Sequence, residues 1–228
     1  MRGCVFLIFD FRPHWSVLLL FLLCCSFPFF EYLHFPLWNE SSTRWVENSQ
    51  AIMLFIGGFL TLLYVHVKKL TQAKKIFWLW AALWWIVLCG RSTSWGRDYF
   101  PEIPKIYFRL ISIMLITPLV FMLFSPQLRS EIKQKFRTAV IPVWGLIFAV
   151  GGLIISDSIE HHRTLGMIFL HDLQYRNFME ELYEYPLIIG LAIISFSLLR
   201  NEHPEKKSAV QNKALGSTHL VKIHKHHS

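Results

Sequence analysis

Apolar positions along this chain gather into six long runs, at roughly 14–31, 50–67, 76–95, 107–125, 139–156 and 182–199, and most of the charge lies between them. Each run is close to the length that a helix needs to cross a hydrocarbon core of about 30 Å, which is about 20 residues. Inside lipid a backbone has no water to bond, so a spanning segment must be a helix. The pattern predicts an all-α, polytopic membrane bundle of six helices over residues 1–199, followed by a polar, lysine-rich tail over 200–228 that is too poor in apolar residues to fold alone. The 228 residues are 54% hydrophobic, with 20 Phe and 9 Trp, which agrees with a chain whose solvent is largely lipid.

The run "IFWLWAALWWIVLCG" (76–90) is short, so "RSTSWG" (91–96) is expected in or near the outer leaflet, and it is helix-compatible up to Gly96. Pro118 predicts a kink in the fourth span. Gly57 and Gly58, and later Gly145, Gly151 and Gly152, mark places where another helix can approach closely. The last run, counted from Pro186, is too short to span, so its helix must start at about residue 180.

Charge then orients the bundle. The net charge of +8 is concentrated in a loop with Lys68, Lys69, Lys74 and Lys75, in a loop at 126–138 with Arg129, Lys133, Lys135 and Arg137, and in the tail. The stretches 31–49 and 157–184 are acidic. Positive loops remain in the cytoplasm, so both termini are expected there and the odd-numbered loops outside. The basic balance is then a matter of topology, with the lipid bilayer as partner and no nucleic acid. Arg2 and Arg12 precede the first run, but no small-x-small site follows it, so an uncleaved span is expected. None of the four cysteines falls in an outer loop, so no disulfide framework is implied.

Three helix ends should meet at the outer side and bring together a polar cluster. The third span contributes Arg91, Ser94, Arg97 and Asp98, and the fifth Asp157, Glu160, His161 and His162. The sixth contributes Glu180, Glu181 and Glu184. Arg91 and Glu184 should lie at similar depth and neutralise one another. Asp157, His161 and His162 are the candidate metal ligands, since imidazole and carboxylate suit Zn²⁺. No cofactor is firmly implied, because the spacing matches no zinc-hydrolase motif and polar residues are what ends any membrane helix.

The segments "GRSTSWGRD", "SDSIEHHRT" and "MEELYEYP" resemble a group of uncharacterised small bacterial inner-membrane proteins. The resemblance covers roughly residues 76–199 and implies a bacterial inner-membrane location, with no activity to carry over. An acid often precedes the "SWG" element in that group, where this chain has Ser92 or Thr93. A second likeness is to the ceramidase-like membrane hydrolases, which use Ser, Asp and three His around zinc. This chain has six runs where they have seven spans, and no histidine in its last run. The expected role is non-enzymatic ligand or partner binding, or structural charge pairing. The alternatives are a metal-dependent lipid hydrolase and a small proton-coupled transporter carrying its proton on Glu181 or Glu184.

Overall fold

The computed structural model describes residues 8–12, 15–37, 41–97 and 99–202. Eight α-helices succeed one another among them: α1 (Trp15–Tyr32), α2 (Ser41–Val67), α3 (Gln72–Ser92), α4 (Lys105–Phe121), α5 (Pro126–Thr138), α6 (Val143–Glu160), α7 (Gly166–Phe169) and α8 (Arg176–Arg200). All except α5 and α7 are long and apolar enough to cross a membrane, with α4 prolonged to Phe124 and α8 preceded by a 3₁₀ turn from Leu173. The protein is an all-α bundle of six membrane-spanning helices.

Several boundaries differ from the sequence expectation, each for a local reason. Helix α2 starts at Ser41, not residue 50. No Gly or Pro interrupts 41–56, so the helix runs on past the apolar stretch to about 40 Å. It thereby overshoots the hydrocarbon core and lifts its first turns into the polar zone. Helix α3 starts at Gln72, where Thr71 caps it by accepting the Lys74 N–H at 3.4 Å. It is therefore four residues longer at its start than the apolar run. Helix α6 starts at Val143, because Val140–Pro142 is extended: it forms β2 and pairs in parallel with β1 (Ile8–Asp10). The Trp144 indole also donates to the Phe11 carbonyl at 3.0 Å. Residues 126–138, expected as a loop, form α5. Pro126 occupies its first turn, Leu128 and Glu131 are buried, and Arg129, Lys133 and Arg137 are exposed.

Helices α6 and α8 pack with almost no side chain between them. A Cβ built on Gly190 would lie 2.5 Å from the Gly145 carbonyl oxygen, and one on Gly152 would lie 2.7 Å from the Leu187 nitrogen. Gly151 has nothing within 4 Å, so it is not the packing position its sequence neighbourhood suggested. Gly57 and Gly58 open a notch filled by the Trp85 side chain, which approaches to 3.1 and 3.3 Å. In the tryptophan-rich α3, Trp78 and Trp85 are therefore core residues, whereas Trp84 is exposed.

At one end of the bundle Glu202, which the sequence reading placed in the tail, is buried. Its carboxylate meets Lys74 Nζ at 2.9 Å, accepts from the Trp78 indole at 3.0 Å and pairs with Lys135. It thus joins the starts of α3 and α8's far end to α5. The rest of the expected tail, 203–228, lies outside the described residues.

A polar cavity at the end of the bundle

At the opposite end, α3 stops abruptly. Thr93 turns its hydroxyl back onto the Cys89 and Gly90 carbonyls at 3.1 and 3.2 Å; the Cys89 carbonyl already takes the Thr93 N–H, and the Gly90 carbonyl is one that a continuing helix would have bonded. Ser94, Trp95 and Gly96 then take φ of +48°, +59° and +92°. Three left-handed residues in succession reverse the chain, so the helix does not extend to Gly96. Each of the two non-glycine residues carries a strain of about 1 kcal/mol or more. The reversal lays the Trp95 indole on Gly90, where a Cβ would be 2.5 Å from the ring.

The turn leaves room between the end of α3, the first turns of α2 and the start of α8. Two adjoining chambers occupy this space, sharing Glu47, Glu180 and Glu181 as lining. The inner one, about 180 Å³, is lined by those three glutamates with Glu160, Glu184, Ser92 and Ser94, over an apolar floor that includes Leu54, Leu88 and Ile188. Among the described residues, Arg91 is the one cation that lines it. The outer one, about 610 Å³, adds Arg44, Arg97, Lys105 and Asn177. Negative charge is thus gathered inside and positive charge at the mouth.

Gln50 fixes the geometry. Its side chain is fully buried and donates to the Glu181 carbonyl at 2.6 Å, while its own oxygen accepts from Ser92 Oγ at 3.5 Å. One amide therefore ties α2 to both α8 and α3. Ser49 bonds Tyr185, a second link from α2 to α8, and Tyr99 bonds Asn48. Arg91 Nη2 stands 3.7 Å from Glu184 Oε1. The arginine side chain is 58% exposed, so this contact is screened by solvent.

The polar cluster read from the sequence divides in two. Arg91, Ser94, Arg97, Glu160, Glu180, Glu181 and Glu184 line the chambers. Asp157, His161 and His162 do not: Asp157 and His161 form a patch with Glu160 at the end of α6. Asp98 lies outside the described residues. In the patch, His161 Nδ1 lies 3.4 Å from Asp157 and 3.7 Å from Glu160. His162 has φ +50°, which turns it out of this group, and its Nε2 faces Arg176 Nη1 at 3.0 Å. Arg176 stands four residues from both Asp172 and Glu180, a spacing that would let it bridge them. Asp172 instead caps the 3₁₀ turn before α8, and Arg176 bonds His162 and Asn177.

Ligand atoms of Asp157, Glu160 and His161 lie within 4.8 Å of one another, so Glu160 takes the place expected of His162 in a zinc set. The residues fit a metal poorly. Arg163 Nη1 holds Asp157 Oδ2 at 2.8 Å, and a guanidinium placed there competes with a cation for the same carboxylate.

Sequence reasoning missed the contribution of α2. Arg44 and Glu47 line the cavity only because that helix begins at Ser41, and the unbroken helix-compatible stretch 41–50 was the available signal. It also missed Glu31, buried at the end of α1, whose Oε1 accepts the His171 N–H at 2.9 Å and the Asp172 N–H. That carboxylate pins the 161–175 connection against α1, and so holds the start of α8 in register with the cavity. Searches against protein-family models, curated proteins and solved structures find no match for this chain.

Proposed function

We propose that this chain is a non-enzymatic, ligand-binding membrane protein of the bacterial inner membrane, with both termini cytoplasmic. Its ligand is a small molecule that puts a cationic amine in the inner chamber and an anionic group at the mouth. What supports this reading is the distribution of charge. Five glutamates surround a chamber with a single arginine, and Arg44, Arg97 and Lys105 stand at the opening. Like charges gathered in a partly buried space repel one another, and a bound cation relieves that repulsion. An apolar floor beneath the carboxylates accommodates a short hydrocarbon segment next to the amine.

The metal-dependent hydrolase is a second reading, and its support is the approach of Asp157, Glu160 and His161. One panel of thermal-unfolding measurements separates the two. Putrescine, phosphoethanolamine, succinate and zinc chloride are each added to purified protein in detergent. Both amines are expected to raise Tm, phosphoethanolamine more than putrescine, and the shifts should disappear in Glu181→Gln. Succinate alone should have no effect. Stabilisation by zinc but by neither amine, lost in His161→Ala, would transfer the site to the α6 patch and overturn the ligand-binding reading.

A further inference from the structure

At the end of the bundle that holds Glu202, a second cavity of about 630 Å³ opens between the end of α2 and the start of α3. We infer that it is a binding site for the headgroup of an anionic phospholipid. Its polar wall is made by Lys68, Lys69 and Lys75 with His66, and its apolar wall by Leu62, Val65, Leu70 and Leu79.

Two observations separate this cavity from ordinary helix-end charge. The first is selective neutralisation. Lys74 and Lys135, close by, are held by Glu202. Among the described residues, no carboxylate forms an ion pair with Lys68, Lys69 or Lys75. Three positive charges thus face one space with no carboxylate partner among the described residues, beside the N-terminus of α3, whose dipole also favours an anion.

The second observation is the position of the apolar wall. Leu79 lies two turns into α3, about 10 Å along the axis from its start. Leu62 and Leu79 are exposed on helices long and apolar enough to span a membrane, so in a bilayer they would meet lipid tails. Phosphate at the lysines and an acyl chain along these leucines is the layout of a phospholipid standing in its leaflet. A free phosphate would use only the first half. The lysines are held in place by a short turn in which the Lys68 N–H meets the Tyr64 carbonyl and the Leu70 N–H the Lys68 carbonyl, each at 3.0 Å.

Native mass spectrometry of the full chain in detergent tests the inference, with phosphatidylglycerol titrated against phosphatidylcholine of the same chain length, and inorganic phosphate as a third arm. Phosphatidylglycerol should bind as a discrete adduct, phosphatidylcholine far more weakly, and millimolar phosphate should not displace the lipid. Each of Lys68→Gln, Lys69→Gln and Lys75→Gln should weaken binding about fivefold, and the three together well over tenfold. The same number of charges removed from α5, in Arg129→Gln with Lys133→Gln and Arg137→Gln, is the control and should leave the adduct nearly unchanged. Equal losses from both triple variants, equal binding of the two lipids, or displacement by phosphate would each overturn the site. The single variants decide the matter if a triple variant does not fold.

Discussion

Glu202 follows α8 by two residues, and its carboxylate is enclosed by Lys74, Lys135 and the Trp78 indole. Burial alone would raise its pKa. The hydrogen bonds from Lys135, Lys74 and Trp78 outweigh that effect and bring the value below the ordinary 4.5. A carboxyl whose folded pKa is depressed adds stability that is complete above its unfolded pKa and is lost as pH falls through the folded one. Glu202→Gln should therefore destabilise the protein at pH 7, by about 2–4 kcal/mol, because Lys74 and Lys135 both lose this carboxylate and Lys135 keeps only the longer contact with Glu131 at 3.9 Å. Chemical denaturation in detergent at pH 7 and again below pH 4 checks this. The gap between the variant and the original chain should narrow at the lower pH, and a constant gap would remove the charge explanation. The Arg91–Glu184 pair differs in kind, since its arginine is more than half exposed and its contact is accordingly worth less than about 1 kcal/mol.

Helices α6 and α8 meet through Gly145, Ala149 and Gly152 on one side and Pro186 and Gly190 on the other. In lipid no hydrophobic effect draws helices together, so close backbone approach and the dispersion contacts it allows carry the association. Gly190→Ala puts a methyl group 2.5 Å from a backbone oxygen and 2.6 Å from a backbone nitrogen of α6, neither of which can swing aside. The two helices must separate, at a cost of about 1–3 kcal/mol. Gly151→Ala meets nothing and should be neutral or slightly stabilising, because it raises helix propensity without a clash. Thermal unfolding of the two variants side by side should show a clear drop for the first alone. Gly151 and Gly152 sit in the same apolar run, and only their azimuth around α6 tells them apart. Gly145 and Gly152 are seven residues apart, two turns, and so share a face that Gly151 misses.

At the scale of the molecule, helix order makes the start of α1, the end of α2, the starts of α3 and α6 and the end of α8 share one end of the bundle. The β1–β2 pairing and the Glu202 cluster both join segments at that end. It is also the end with the lysine- and arginine-rich connections, so it should be the cytoplasmic one. Reporter fusions after Gln72 and after Gln134 should read cytoplasmic, and fusions after Ser42 and after Gln174 external. An external reading at Gln134 would break the alternation of the six spans. The glutamate-lined cavity then faces outward and the lysine-lined one inward.

The number of spans and their alternating order could be read from the chain, because hydrocarbon thickness and the demand for internal backbone bonding leave a long apolar run little choice. The meeting of α3, α6 and α8 ends in a polar zone was legible for the same reason: each helix must become polar where it leaves lipid. Depth along the membrane normal is thus a one-dimensional property that a sequence carries. Direction around a helix axis, and contact between distant segments, are not. Tertiary structure decided that Asp157, His161 and His162 stay out of the lining of the chambers, and that Gln50 from α2 bonds α8 and α3. It also decided that Glu202 turns back into the bundle to meet lysines on two other helices. Those outcomes depend on which neighbour fills each notch and on where chain reversals such as Ser94–Gly96 fall. Such choices are made by packing between segments far apart in the chain, where local composition has no say.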